Sequence, residues 1–195
     1  MVSEGLKKYV NDIIIALKDI DESNKPIDFE IIDALFQAST MAMYTENEIP
    51  YSLNCSKKAK ELLARRIYNE TEGRYSLWDL ENVCSRSKDQ TQEINLFYKI
   101  LKQEAYHDLQ SYIYFMEKNR APEKRFYLPR RKTLRIVLND LMDLEKGKYK
   151  FYGLSMPPRV GKSTLCIFFL SWVMFRHPNA HNAMCGHSGV LAKGF

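Results

Sequence analysis

Cysteine is scarce in this chain: four in 195 residues, at positions 55, 84, 166 and 185, with no CxxC pair. That spacing excludes a disulfide framework and the common zinc ribbons, and it fits a reduced, cytoplasmic protein. Long apolar runs are missing too. The longest, Leu165 to Phe175, is interrupted by Ser171 and covers 11 residues, about half of the ~20 needed to cross a bilayer. The opening MVSEGLKKYV has no apolar core of the kind a signal peptide carries. The sequence contains neither an internal repeat nor a low-complexity segment. Acid is lacking at the C-terminal end: none of the 33 residues after Lys162 is Asp or Glu, and Glu145 is the last carboxylate.

What is present is enough to build a core. Hydrophobic residues make up 45% and charged residues 27%, which excludes a disordered tail. At roughly 100–200 residues per domain, the length allows one domain or two small ones. The net charge of +5 is unevenly placed. Between Lys118 and Arg135 stand eight basic residues (118, 120, 124, 125, 130, 131, 132 and 135) against one acid, Glu123, so this stretch is +7 and the remainder sums to −2. Two readings stay open for it. It is a surface for DNA phosphates or nucleotide, interleaved with Phe126 and Tyr127, or it is a solvated linker and helix face.

Apolar periodicity predicts helices through the first 145 or so residues. Leu6, Val10, Ile13, Ile14 and Leu17 form one stripe, broken at Asp21 to Pro26; Ile31, Leu35, Ala38 and Ala42 form the next, within Ile27 to Tyr44. After the interruption at Asn47 to Pro50, Ser56 is the expected cap of a short basic helix through Ile67, with Gly73 as its stop. One long helix is expected from about Ser87 to Lys118, burying Ile94, Phe97, Leu101, Ala105, Leu109, Tyr112 and Met116. The alternative for that stripe is a docking surface for another protein. Asn119 to Pro129 reads as a basic linker, and Arg130 to Lys146 as a helix with Leu134, Val137 or Leu138, Leu141 and Leu144 inward.

At Gly147 the texture changes. Tyr149 to Met156 is aromatic and reads as a strand, Pro157 to Thr164 as a turn, and Leu165 to Arg176 as a helix apolar on nearly every face, hence buried between other elements. His177-Pro178-Asn179 ends that helix and Asn182 to Gly186 reads as a second strand. The expected fold is therefore mixed: a mainly α-helical N-terminal region followed by an incomplete α/β P-loop NTPase of β-loop-α-β order. Residues 1–118 form a helical region of unassigned role, 119–147 a basic linker and helix, and 148–195 the P-loop part.

Gly161-Lys162-Ser163-Thr164, between that strand and that helix, matches the end of a phosphate loop. Amides at a helix N-terminus face an anion and the helix dipole favours negative charge there. Lys162 reaches the β- and γ-phosphates of ATP, the Ser163 hydroxyl ligates Mg²⁺, and Gly161 removes a side chain where backbone must approach phosphate. The pattern departs from G-x-x-x-x-G-K-[ST] at its first glycine, where Met156 stands. Pro157 and Pro158 carry no N–H, so the donors come mainly from Arg159, Val160, Gly161, Lys162, Ser163 and Thr164.

Ser155-Met156-Pro157-Pro158-Arg159-Val160-Gly161-Lys162-Ser163 resembles the P-P-R-x-G-K-S loop of phage terminase large subunits, the motors that package double-stranded DNA into capsids. The continuation is similar: an apolar helix with Trp172, then Arg176, Pro178-Asn179, and Ser188-Gly189-Val190-Leu191-Ala192. The likeness covers about Phe151 to Phe195, with weaker support from Phe126 to Leu144. The resemblance implies ATP and Mg²⁺ as cofactors and Pro158 to Thr164 as the nucleotide site. It implies Arg159 and Lys162 as catalytic residues, Arg159 meeting charge on the γ-phosphate. It also implies double-stranded DNA, a portal and a small terminase subunit as partners, and a bacterial host cytoplasm as the location. Arg130 or Arg131 would then line the adenine side. The family is an ATPase and nuclease, whereas this chain has no acid for Mg²⁺ or water after the loop and no nuclease-like acid cluster. It reads as the front of a larger motor, ending inside its ATPase core and inactive alone.

Two other functions remain as expectations. One is a helical protein-interaction module carrying a non-functional P-loop remnant. The other is a fragment of another P-loop ATPase, helicase-like. A metal site at His181, Cys185 and His187 is weighed against ordinary strand residues, because the spacing fits no common zinc pattern.

Overall fold

The computed structural model describes residues 4–23, 27–41, 49–79 and 90–183. The chain divides into two compact units, Met1–Glu104 and Ala105–Phe195. Among the described residues it is mainly helical, with seven α-helices and no β-strand. No helix of the described residues is long and apolar enough to cross a membrane.

The first unit holds α1 (Glu4–Ser23), α2 (Phe29–Met41), α3 (Ile49–Glu70) and α4 (Gln90–Glu104). Its core comes from stripes at helical spacing: Val10 and Ile13; Ile32, Leu35 and Phe36; Ala59, Leu62, Leu63 and Ile67; and Leu96, Phe97, Ile100 and Leu101, all buried. Asp28 starts α2, its carboxylate accepting the Glu30 amide at 3.1 Å. Ser56 is not the cap expected of it. Helix α3 begins two turns earlier, with Pro50 in the first turn where a missing N–H costs nothing. Ser56 is buried mid-helix, its hydroxyl donating to Glu104 Oε1 at 3.0 Å. Gly73 does stop the helix: at φ +76° it donates its amide to the Tyr68 carbonyl at 2.7 Å. Polar pairs run along α3 and α4 between the apolar layers. Gln103 Nε2 donates to Ser39 and Ser52 hydroxyls at 2.9 and 3.0 Å, Lys60 pairs with Glu104, and Arg66 stands 3.4 Å from Glu93.

The second unit holds α5 (Leu109–Glu117), α6 (Arg131–Glu145) and α7 (Lys162–Arg176), with one-turn 3₁₀ helices at Pro122–Lys124 and Leu128–Arg130. The long helix expected from Ser87 to Lys118 is in fact divided. Asp108 has extended backbone (φ −132°, ψ 117°) and its carboxylate accepts the Ser111 amide at 2.7 Å, capping α5 afresh. An Asx cap satisfies amides that a continuous helix would satisfy with carbonyls, so the chain can turn there without an orphaned donor. Most of the expected stripe is buried, Phe97 and Leu101 in one unit and Ala105, Leu109 and Tyr112 in the other, whereas Met116 is exposed. Leu134, Leu138 and Leu141 of α6 point inward as expected.

The strand expected over Tyr149 to Met156 is absent as a paired element; residues 151–157 have no regular structure. A two-face alternation survives there: Phe151, Gly153 and Ser155 are exposed, Tyr152, Leu154 and Met156 half-buried. The Tyr152 hydroxyl donates to Asp140 of α6 at 2.9 Å. A strand is defined by its ladder, and no described segment offers the second row of amides and carbonyls. Of the expected second strand, Asn182 and Ala183 are without regular structure and residues 184–186 lie outside the described residues, as does the Ser188 to Ala192 stretch. Helix α7 also departs from expectation. It buries one stripe, Leu165, Phe168 and Trp172, while Met174 and Phe175 remain 55% and 54% exposed.

Candidate phosphate-binding loop

The loop sits at the start of α7. Gly161 precedes the helix in the left-handed region (φ 99°, ψ 23°), and the first intrahelical bond runs from the Leu165 amide to the Gly161 carbonyl at 2.9 Å. The amides of Lys162, Ser163 and Thr164 therefore precede the helical ladder, and no side chain caps them. Together with the helix dipole, such a terminus favours an anion by about 0.3–1 kcal/mol. Pro158, Arg159, Lys162 and Ser163 are exposed; Val160, Gly161 and Thr164 are half-buried. Arg159 is itself left-handed, at φ +66°. A non-glycine residue held there costs about 1–2 kcal/mol, strain of the kind that collects at ligand-binding turns.

Gly161 is required for a reason the sequence did not supply. A β-carbon built on it would overlap Cε2 of the Phe126 ring and stand 2.9 Å from its Cζ. The close approach on that side is to a ring. Phe126 in turn stacks on Phe168 of α7, with ring centroids 6.0 Å apart. One helical turn beyond Lys162, burial pushes the Cys166 thiol up, with Lys162 pulling it partly back. The thiol stays protonated and poorly nucleophilic.

The basic stretch divides into structural and solvent-facing cations. Arg125 is buried, its guanidinium donating to the Arg120 and Lys118 carbonyls at 3.1 and 3.2 Å. Arg130 donates to the Phe126 carbonyl at 2.9 Å and lies over its ring, and Arg120 pairs with Glu117 at 3.0 Å. Lys124, Lys132 and Arg135 face solvent. The solvent-facing part of the run is thus smaller than the count of eight suggests. Over the whole unit Lys and Arg number 15 against six acids.

Those six acids do not gather at the loop. Asp108 caps α5, Glu117 is buried, Asp140 holds Tyr152, and Asp143 pairs with Lys148 at 2.8 Å. Glu145 pairs with Arg176 and with His177 (2.7 Å) at the far end of α7, about 20 Å from Lys162 at 1.5 Å per helical residue. Only Glu123 stands exposed. The donor set at the loop is amides, an ammonium, a guanidinium and two hydroxyls. It fits a phosphate with one Mg²⁺ ligand from Ser163, and none of the residues Pro158 to Thr164 is a carboxylate. Among the described residues there is no cluster of three or more His, Cys, Asp or Glu side chains. Of the trio His181, Cys185 and His187, the last two lie outside the described residues.

Glu117, and the contact of Phe126 with Gly161, were missed by sequence reasoning, which placed Phe126 only within the basic run. The one signal was Glu117 itself, an acid placed directly before the basic run. Comparisons with protein-family models, with curated proteins and with solved structures found no match to this chain.

Proposed function

We propose that this chain is the ATP-binding front part of a phage terminase large subunit, with residues 148–195 belonging to an α/β P-loop ATPase. The observation that carries the reading is the uncapped start of α7, where a left-handed Gly161 leads into the exposed pair Lys162 and Ser163. In this reading the amides from Gly161 to Thr164 cradle phosphate oxygens. Lys162 neutralises the β- and γ-phosphates, Arg159 faces the γ-phosphate, and Ser163 supplies one Mg²⁺ ligand. The metal contributes charge neutralisation across the phosphates. The two-face alternation of residues 151–156 supports a strand awaiting a neighbour, and the exposed apolar side of α7 supports a helix awaiting a sheet. Double-stranded DNA, a portal and a small terminase subunit are the partners this assigns, in a bacterial host. Because no acid at the loop is free to hold Mg²⁺ or orient water, the chain alone binds nucleotide without appreciable turnover.

Calorimetry of Mg²⁺-ATP with the wild-type chain and Lys162→Ala tests the reading. Binding that is lost or weakened at least tenfold in the variant supports it. Equal binding by both, or none by a folded wild type, overturns it.

A second reading draws on the first unit, whose four described helices close their own core. It makes residues 1–104 a protein-interaction module, with Tyr9, Ile14 and Ile15 exposed on α1. A soluble, helical 1–104 fragment that captures a partner without nucleotide would favour it.

A further inference from the structure

We propose that Glu117 is a positioning residue for the loop: it holds Phe126 against Gly161 and thereby sets the turn that presents the Lys162–Thr164 amides. The geometry stands by itself; its consequence for nucleotide rests on the phosphate-loop reading above.

Glu117 is a carboxylate at 2% exposure, which is costly unless every oxygen is engaged. Its Oε1 accepts the Phe126 amide at 2.8 Å and Arg120 Nη1 at 3.0 Å; its Oε2 accepts the Tyr127 amide at 2.9 Å. Two consecutive amides on one carboxylate fix the main chain there in position and in direction, and charge-assisted bonds of this kind are roughly twice as strong as neutral ones. The loop that returns the chain from Glu117 to Phe126 is closed from inside by the buried Arg125, through the Lys118 and Arg120 carbonyls. Arg130 then secures the Phe126 carbonyl at 2.9 Å and covers one ring face at 5.3 Å. Phe126 is thus held at its amide, at its carbonyl and, through Phe168, at its ring. Its ring edge forms a wall against Gly161, and a left-handed glycine pressed on a ring so held has little room to change its φ.

The test uses the full chain and two readouts. Glu117→Gln keeps the shape but can accept only one of the two amides, since its NH₂ meets the other. The first readout is the Gly161 α-proton resonance, displaced by the ring current of Phe126. Phe126→Leu, which removes the ring, marks the undisplaced position. In Glu117→Gln the resonance is expected to move toward that position while Trp172 keeps its buried emission. The second readout is the dissociation constant for Mg²⁺-ATP. It is expected to rise about tenfold or more, the scale on which supporting partners act on a bound ion. A purely structural role would lower the melting point and leave a Gly161 resonance, recorded well below melting, where it was. Should Glu117→Gln fail to fold, Arg130→Met removes the hold on the Phe126 carbonyl, and the same displacement is expected. A Gly161 resonance unchanged in the variants overturns the proposal, as does a moved resonance with unchanged ATP affinity. If the wild type binds no Mg²⁺-ATP, the phosphate-loop reading falls, and the Gly161 resonance alone decides whether Glu117 positions the turn.

Discussion

Replacing Gly161 by alanine makes two separable demands on the start of α7. The residue sits at φ 99°, where a β-carbon is disfavoured by about 1–2 kcal/mol. The new methyl would also overlap the Phe126 ring, which cannot retreat without disturbing its stack on Phe168. Overpacking of that kind costs about 1–3 kcal/mol. The expected loss for the second unit is therefore about 2–5 kcal/mol. Urea unfolding followed through Trp172 reads it, because that indole is buried and donates to the Ala105 carbonyl at 2.8 Å. A Trp78→Phe background removes the other tryptophan's signal, and Trp78 belongs to the first unit. Phe126→Leu in the same background opens the wall. There the Gly161→Ala penalty should shrink to the backbone part alone, about 1–2 kcal/mol. A loss below about 0.5 kcal/mol, the ordinary scatter for a neutral surface change, refutes the close contact. A penalty of unchanged size once Phe126→Leu has opened the wall refutes the assignment of Phe126 as that wall.

Asp108→Ala removes the cap of α5 and should destabilise the second unit by about 1 kcal/mol, with Asp108→Asn nearly neutral; a urea series over the three proteins checks it. Glu145→Gln leaves Arg176 poorly exposed and without its carboxylate and should cost about 3 kcal/mol by the same melt. A loss no larger than for a surface residue would mean that the pair is not formed. His107 is held below the usual imidazole range by burial first and by the neighbouring Arg176 second. Its folded form therefore binds fewer protons than its unfolded form between that lowered value and about 6.5, so the second unit should lose stability as pH falls through this window. Comparing urea midpoints at pH 7.5 and 5.5 for the wild type and His107→Gln isolates the effect, and identical pH slopes would contradict it.

Much of the helical plan was legible because apolar spacing reports a buried stripe wherever the chain has one. Val10, Ile13, Leu35, Ala38, Leu134 and Leu141 were readable in this way, and Gly73 and Gly161 announced turns that only glycine takes without strain. The missed boundaries have local causes. At Ser56 a capping residue was spent on a buried hydrogen bond to Glu104, and at Asp108 an acid in a helical pattern turned out to be a cap. Spacing cannot distinguish these uses, since the same side chain serves either one.

The strand over 149–156 is the instructive difference. Its aromatic texture is written in the sequence, and its side chains alternate in exposure, but a ladder requires a second segment of backbone, which no local pattern supplies. The loop shows the same division. Composition and order determined that Gly161, Lys162 and Ser163 open a helix with its amides uncapped, because helix termini and glycine turns are local properties. Only the tertiary structure decided that Phe126 presses on Gly161, that Glu117 is buried beneath two amides, and that half of a basic run is spent on carbonyls and rings. Those choices depend on which distant groups meet once the chain has packed, and the desolvation that makes them decisive exists only inside the fold.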